Sequence, residues 1–263
     1  MQMSLTPMVK NLLILNIGVF LIMVFTKVDL IDIFGLRYLE ATDFRPYQLF
    51  THMFIHSGWG HLFSNMFGLF MFGPLLEKMW GSKRFLAFYM ICGLGAALIY
   101  SGVEYFEMEK LNRLKLSFIS SPSPESYIKF SRDALGNDDL SYPQLLNLFE
   151  KNPDNKEIID LAKNRVISVY NKISNIPSVG ASGALFGILL AFGMLFPNTE
   201  LMMLFIPIPI KAKYFVAMYG IFELYSGVQR NPGDHVGHFA HLGGMLFAFL
   251  IVKYWERERN RFY

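Results

Sequence analysis

Chemistry in this chain concentrates on one serine and six histidines. Ser182 stands between small residues, Gly180-Ala181 before it and Gly183-Ala184 after it, at the start of an apolar run. The histidines form two clusters, His52, His56 and His61 in the first quarter and His235, His238 and His241 near the end. A serine hydroxyl becomes a nucleophile when a base takes its proton, and imidazole is the usual base. Ser182 with His241 as base is therefore the candidate pair. The Asn65 amide, a His61 ring nitrogen and the Ser182 backbone N–H are candidate donors for an oxyanion. An acid to complete the set is not evident. Glu223 and Asp234 are nearest in sequence, and each has a simpler role, Glu223 reaching for the membrane surface and Asp234 capping a helix.

The elements that must position these groups are apolar. Of 263 residues, 53% are hydrophobic and 17% charged, well below the charge of soluble domains. Six apolar segments stand out, at about 8–26, 61–79, 84–103, 182–196, 212–227 and 237–253. The net charge of +3 is small and no phosphate-binding glycine loop is present, so nucleic acid and nucleotides are not expected partners. The one cysteine, Cys92, permits no intrachain disulfide. The first apolar run lacks a small-residue cleavage site, so no cleaved signal peptide is expected.

Six spans bring the basic short connections to one side: Lys78, Lys83 and Arg84, then Lys211 and Lys213, then Lys253, Arg257, Arg259 and Arg261. Such connections stay inside, so both termini are expected in the cytoplasm. Spans two, four and six then start at the outer face, each carrying candidate residues. The 15-residue fourth span reaches roughly 22 Å, which sets Ser182 some 8 Å below the outer boundary. His241 and Asn65 lie about four residues into their spans, roughly 6 Å deep. Small residues at four-residue spacing, Gly183, Gly187 and Ala191 on one span and Ala240, Gly244 and Ala248 on another, allow the two helices to pack backbone to backbone.

Residues 104–177 break the pattern, with 10 Lys/Arg against 11 Asp/Glu. Residues 104–118 read as an amphipathic extension of span three. "SPSPES" and "LGNDDLSYP" read as loops. Apolar residues at 158, 159, 162, 166, 169 and 173 predict a helix that begins after Pro153-Asp154. The whole stretch reads as an extracytoplasmic helical insert.

"HSGWGHLFSN" at 56–65, "GASG" at 180–183 and "AHLGG" at 240–244, in that order on spans two, four and six, resemble the rhomboid family of intramembrane serine proteases. "LEKMWGS" at 76–82 is similar to the family's stretch at the end of span two. The resemblance covers about 47–103 and 178–253. It implies an all-α, polytopic, six-transmembrane-helix bundle over 1–263, interrupted by the insert at 104–177. It implies a multi-pass protein of the cell membrane that cleaves transmembrane protein substrates within the lipid bilayer, with no cofactor and no metal. Carried over residue by residue, Ser182 is the nucleophile and His241 its base, working as a dyad. Gly180 and Gly183 shape the turn, His61 and Asn65 line the oxyanion hole, His56 supports it, and Phe186 packs beside His241. The chain departs from the family at Tyr47-Gln48, where many members have Trp-Arg, and in the length of the insert.

Two other function classes fit parts of this pattern. Clustered histidines suit a metal site, although HExxH is absent and no acid or cysteine joins the histidines at matching depth. A catalytically dead rhomboid-like binding protein is the other, against which the intact Ser182 and His241 stand.

Overall fold

A computed structural model describes residues 5–136, 143–203, 206–229 and 236–259. Each apolar segment forms a helix. These are α1 (Pro7–Thr26), α4 (Trp59–Trp80), α5 (Ser82–Ser120), α9 (Ser182–Leu195), α10 (Ala212–Gln229) and α11 (His238–Arg259). Short helices α2 (Leu30–Phe34) and α3 (Gln48–Thr51) lie in the first long connection. The insert holds α6 (Pro124–Leu135), α7 (Pro143–Lys151) and α8 (Lys156–Ser174).

The expected extension of the third segment is continuous with it, since α5 runs unbroken to Ser120. "SPSPES" ends the α5 helix and caps the next one: the Ser123 hydroxyl accepts from the Ser126 N–H and the Ser126 hydroxyl answers at the Ser123 N–H. Asn155 caps α8, two residues after the expected start signal. Most of "LGNDDLSYP" lies outside the described residues. A feature not expected from the sequence is a hairpin between α9 and α10, β1 (Glu200–Met203) antiparallel to β2 (Ile206–Lys211), with Glu200 opposite Lys211.

Packing is inside-out relative to a soluble protein. α9 is held between α5 and α11, with α4 and α10 also against it and α1 against α4. Small residues line the contacts. A side chain at Gly183 would strike Ala96 of α5, one at Gly187 would strike the Cys92 Sγ, and one at Gly244 would strike the Gly183 carbonyl. The two small-residue stripes thus meet, as their spacing predicts. Large apolar side chains point outward instead: Ile14, Ile22 and Phe25 on α1, Phe63 and Phe67 on α4, Ile221 and Phe222 on α10, Phe249 and Leu250 on α11. An apolar belt of this extent belongs in lipid, not water. By length and composition alone, α1 and α5 are able to cross a membrane, while α9 is apolar but shorter.

The insert builds its own core. Met108, Leu111 and Phe118 of α5 pack with Tyr127 and Phe130 of α6, Leu145 and Phe149 of α7, and Ala162, Val166 and Val169 of α8. Tyr38, from the connection after α2, closes this cluster. The resulting helical cap sits at the end of the bundle that carries Ser182. α5 passes Gly183 at Ala96 and continues from there into the cap.

Two buried polar clusters fix the bundle. At its other end Glu77, 3% exposed, accepts from the Thr6 hydroxyl, the Met8 and Val9 N–H groups at 2.9 Å each, and the Ser82 hydroxyl at 2.5 Å. The carboxylate of "LEKMWGS" therefore satisfies the open N-terminus of α1 and ties it to the α4–α5 junction. In the first connection, Gln48 is 1% exposed and occupies the departed arginine position. Its amide donates to the Asp43 carbonyl at 3.2 Å and accepts from the Arg45 N–H at 3.1 Å, while the Tyr47 hydroxyl donates to the Ile33 carbonyl at 3.2 Å. At these two positions the loop is thus held by uncharged side chains.

Candidate active site

The approach to Ser182 is backbone-determined. Gly180 has φ +125, which side chains with a Cβ rarely adopt. A Cβ there would also press on His61 Nε2. The Gly180 N–H donates to the His52 carbonyl at 2.9 Å, and two residues earlier Ser178 pairs with Leu36. The chain then turns through Ala181 and Ser182 becomes the first residue of α9, half-buried, where helix N–H groups are unpaired and the dipole is positive.

His241 comes from the first turn of α11 and is 7% exposed. Its Nε2 lies 2.9 Å from Ser182 Oγ. Phe186, one turn after Ser182, stacks on the His241 ring at 3.9 Å between centroids and 7° between planes. The backbone contact between Gly183 and Gly244 makes this separation possible, since a side chain added at Gly244 would run into the Gly183 backbone and part the helices.

From α4, His61 comes up against Gly180, two residues before Ser182. His61 Nδ1 sits 3.0 Å from the Ser57 hydroxyl and 3.5 Å from the Ser57 N–H. A backbone N–H only donates, so the tautomer that accepts at Nδ1 from Ser57 carries its proton on Nε2, on the side facing Gly180. Asn65 is 4% exposed and donates one amide N–H to the His61 carbonyl at 2.7 Å. His56 is fully buried with its ring edge-on to His61 at 5.1 Å. His52 is buried and its Nδ1 meets the Gln48 carbonyl at 2.9 Å.

Glu223 departs from expectation. It does not reach for the surface. It is 3% exposed, and its Oε2 lies 2.8 Å from His241 Nδ1 and 2.6 Å from His238 Nδ1. His238 opens α11 and is 8% exposed. An acid therefore joins the second histidine cluster after all. Among the described residues, these three bring their donor atoms within 4.8 Å of one another, the kind of grouping that metal sites use. The separations from Oε2 are hydrogen-bond lengths, and we read the set as a hydrogen-bonded one. Asp234 and His235 lie outside the described residues. The signal that would have found Glu223 is its register: Val216, Gly220, Glu223 and Gly227 fall on one helical stripe, and the first and last are buried with it.

Known proteins resemble the chain along much of its length. It is 25% identical over 256 residues to RHOMBOID-like protein 12, mitochondrial, of Arabidopsis thaliana, covering 96% of this chain and 58% of that protein. It is 26% identical over 212 residues to Rhomboid protein 1, mitochondrial, of Saccharomyces cerevisiae, covering 79% of this chain and 42% of that protein. A shorter stretch of 56 residues is 39% identical to Rhomboid protease AarA of Providencia stuartii, covering 21% of this chain and 20% of that protein. The chain thus spans well under two thirds of the length of these relatives. No solved structure matches it. The family model described as the rhomboid domain matches residues 43–108 and 158–257, so the unmatched stretch between them begins and ends inside the cap, and all of α8 but its first two residues falls within the matched part. That match takes in well over half of the chain, together with Ser182, His241, His61 and Asn65, and the chain belongs to the rhomboid family.

Proposed function

We propose that this chain is an intramembrane serine endopeptidase that cleaves transmembrane protein substrates, with Ser182 as nucleophile and His241 as general base. One observation carries the reading: the 2.9 Å contact between Ser182 Oγ and His241 Nε2, made by residues from two helices at the same depth of an apolar bundle. Relatives named as rhomboid proteases support the activity class.

In this mechanism Ser182 Oγ attacks the scissile carbonyl carbon while its proton passes to His241 Nε2. The carbonyl oxygen becomes an oxyanion. The Ser182 N–H at the α9 terminus, His61 Nε2–H and the free amide hydrogen of Asn65 are its proposed donors, each worth about 3–4 kcal/mol where it acts in the transition state. Gly180 and Gly183 let the serine loop approach these groups, and His56 backs His61. The tetrahedral species collapses, the C–N bond breaks, and the leaving amine takes the proton from His241. Water then attacks the acyl-enzyme, giving its proton to His241, and Ser182 regains that proton as the acid product leaves.

The proposal extends to the whole of 1–263 as a six-span, multi-pass domain in the lipid bilayer of a cell membrane. Residues 104–177 form an extracytoplasmic cap, and both termini are cytoplasmic. The basic residues at the short connections support that orientation. No cofactor enters the reaction.

Cleavage of a model transmembrane substrate by wild type, Ser182→Ala and His241→Ala tests the reading. Both variants should fold and lose cleavage, and only wild type should be labelled by a small fluorophosphonate. A folded Ser182→Ala protein that cuts at the wild-type rate would sink it.

A further inference from the structure

A Ser–His pair leaves Glu223 and His238 without a part. We propose that Glu223 is a positioning residue for His241, selecting the ring tautomer that can accept the serine proton, and that His238 holds the Glu223 carboxylate in place. The inference rests on the serine-protease reading of the same site.

The geometry is linear. Ser182 Oγ, the two His241 ring nitrogens and Glu223 Oε2 follow one another through contacts of 2.9 and 2.8 Å. Neutral imidazole carries one ring proton, and its place decides whether the ring is a base toward Ser182. With the proton on Nε2, the ring would point a donor at the serine. A carboxylate oxygen beside Nδ1 makes Nδ1–H the bonded form and leaves the Nε2 lone pair facing Ser182 Oγ.

His238 strengthens the argument. Its Nδ1 lies 2.6 Å from the same Oε2. With two ring nitrogens on one oxygen, Nδ1–H on both rings makes both contacts hydrogen bonds. The second contact also keeps the carboxylate from swinging away. Phe186 stacking fixes the plane of the His241 ring but is indifferent to which nitrogen bears the proton.

Placement points the same way. α10 is largely exposed and apolar, and its buried residues besides Glu223 are Ala212, Val216 and Gly227. Glu223 is the one acid in that helix. A carboxyl group on such a stripe is costly unless partnered, and its partner is the proposed base. During attack the serine proton reaches Nε2 while Nδ1 keeps its own, so the ring becomes imidazolium against the carboxylate. No proton moves to Glu223.

The test uses the full chain in detergent, as wild type, Glu223→Gln and His238→Gln, with Ser182 labelling by a small fluorophosphonate and cleavage of a transmembrane substrate. Glu223→Gln should lower kcat and labelling rate by about 10- to 100-fold with KM little changed. His238→Gln should lose less. Nitrogen-15 histidine spectra report the tautomer directly: His241 should be protonated at Nδ1 in wild type, with a far-downfield N–H proton that Glu223→Gln removes. A folded Glu223→Gln protein with wild-type kcat overturns the inference, and so does an Nε2-protonated His241 in wild type. The spectrum of wild type decides even if Glu223→Gln does not fold. If wild type itself is neither labelled nor active, the serine-protease reading fails, whereas labelled wild type with an unaffected variant fails the Glu223 inference alone.

Discussion

Leu36 and Ser178 exchange both backbone hydrogen bonds, at 2.8 and 2.7 Å. The connection after α2 and the run into Ser182 are therefore one piece of structure. Arg37, buried beside this bridge, binds the Asn175 carbonyl and the Asp32 side chain. The serine loop is thus fixed from the first connection, and the last residues of the insert lead directly into it.

The prediction is that the cap governs access rather than chemistry. Replacing 110–172 with a flexible linker keeps Asn175 and the Leu36–Ser178 bridge. Ser182 should stay reactive to a small fluorophosphonate, while cleavage of a transmembrane substrate changes. Loss of labelling in a folded deletion would show that the cap builds the site. Protease accessibility in oriented vesicles checks its side.

Close backbone contact predicts sensitivity far from the reacting atoms. Gly187→Leu would collide with Cys92 and Gly244→Leu with the Gly183 carbonyl. The first should push α9 from α5 and crowd the Gly244 carbonyl, the second should part α9 from α11, and about 1 Å of misplacement costs roughly 100-fold in rate. Kinetics of the two variants on one substrate would expose the idea as wrong if both remain fully active.

Glu77 should matter for stability alone. Removing its side chain orphans the Met8 and Val9 N–H groups and two hydroxyls inside the bundle. Glu77→Ala should cost about 3–5 kcal/mol, and Glu77→Gln less, because an amide oxygen still accepts. Thermal unfolding in detergent measures both. Unchanged melting of the alanine variant would remove Glu77 from the framework.

Acid should loosen the first connection. Burial pushes His52 down from 6.5 to about 4, and burial followed by the nearby His61 pushes His56 down to about 3. The unfolded chain takes up protons on these rings below about pH 6.5, before the folded chain does. Their contribution to stability is therefore complete above that pH and is lost as pH falls toward 4. Melting temperature should drop between about pH 7 and about pH 5. His56→Asn should flatten the slope, and a variant with the wild-type slope would assign the effect elsewhere.

Spacing carried much of this architecture. The helices α1, α4, α5, α9, α10 and α11 start within two residues of their expected positions, because a span is a local property of apolar composition. Ser182 and His241 were legible because small residues beside each announce a close neighbour. Glu223 was not, because its role depends on where α10 sits against α11, and its separation from His241 carries no local periodicity. Its register with Val216 and Gly227 marked the face but not the partner. The hairpin was obscured by "IPIPI", where alternating proline suggests a loop. In the cap, the α5 extension and α8 were legible from spacing, whereas α6 escaped because Ser123, in a stretch read as a loop, is its N-cap.

One long helix gives the molecule a mechanical property. α5 has no break between Ser82 and Ser120, so the Glu77 junction, the contact with Gly183 and the core of the cap lie along one rod. A displacement of the cap would be passed along α5 to the packing beside Gly183 as tilt, with no break in that helix to absorb it.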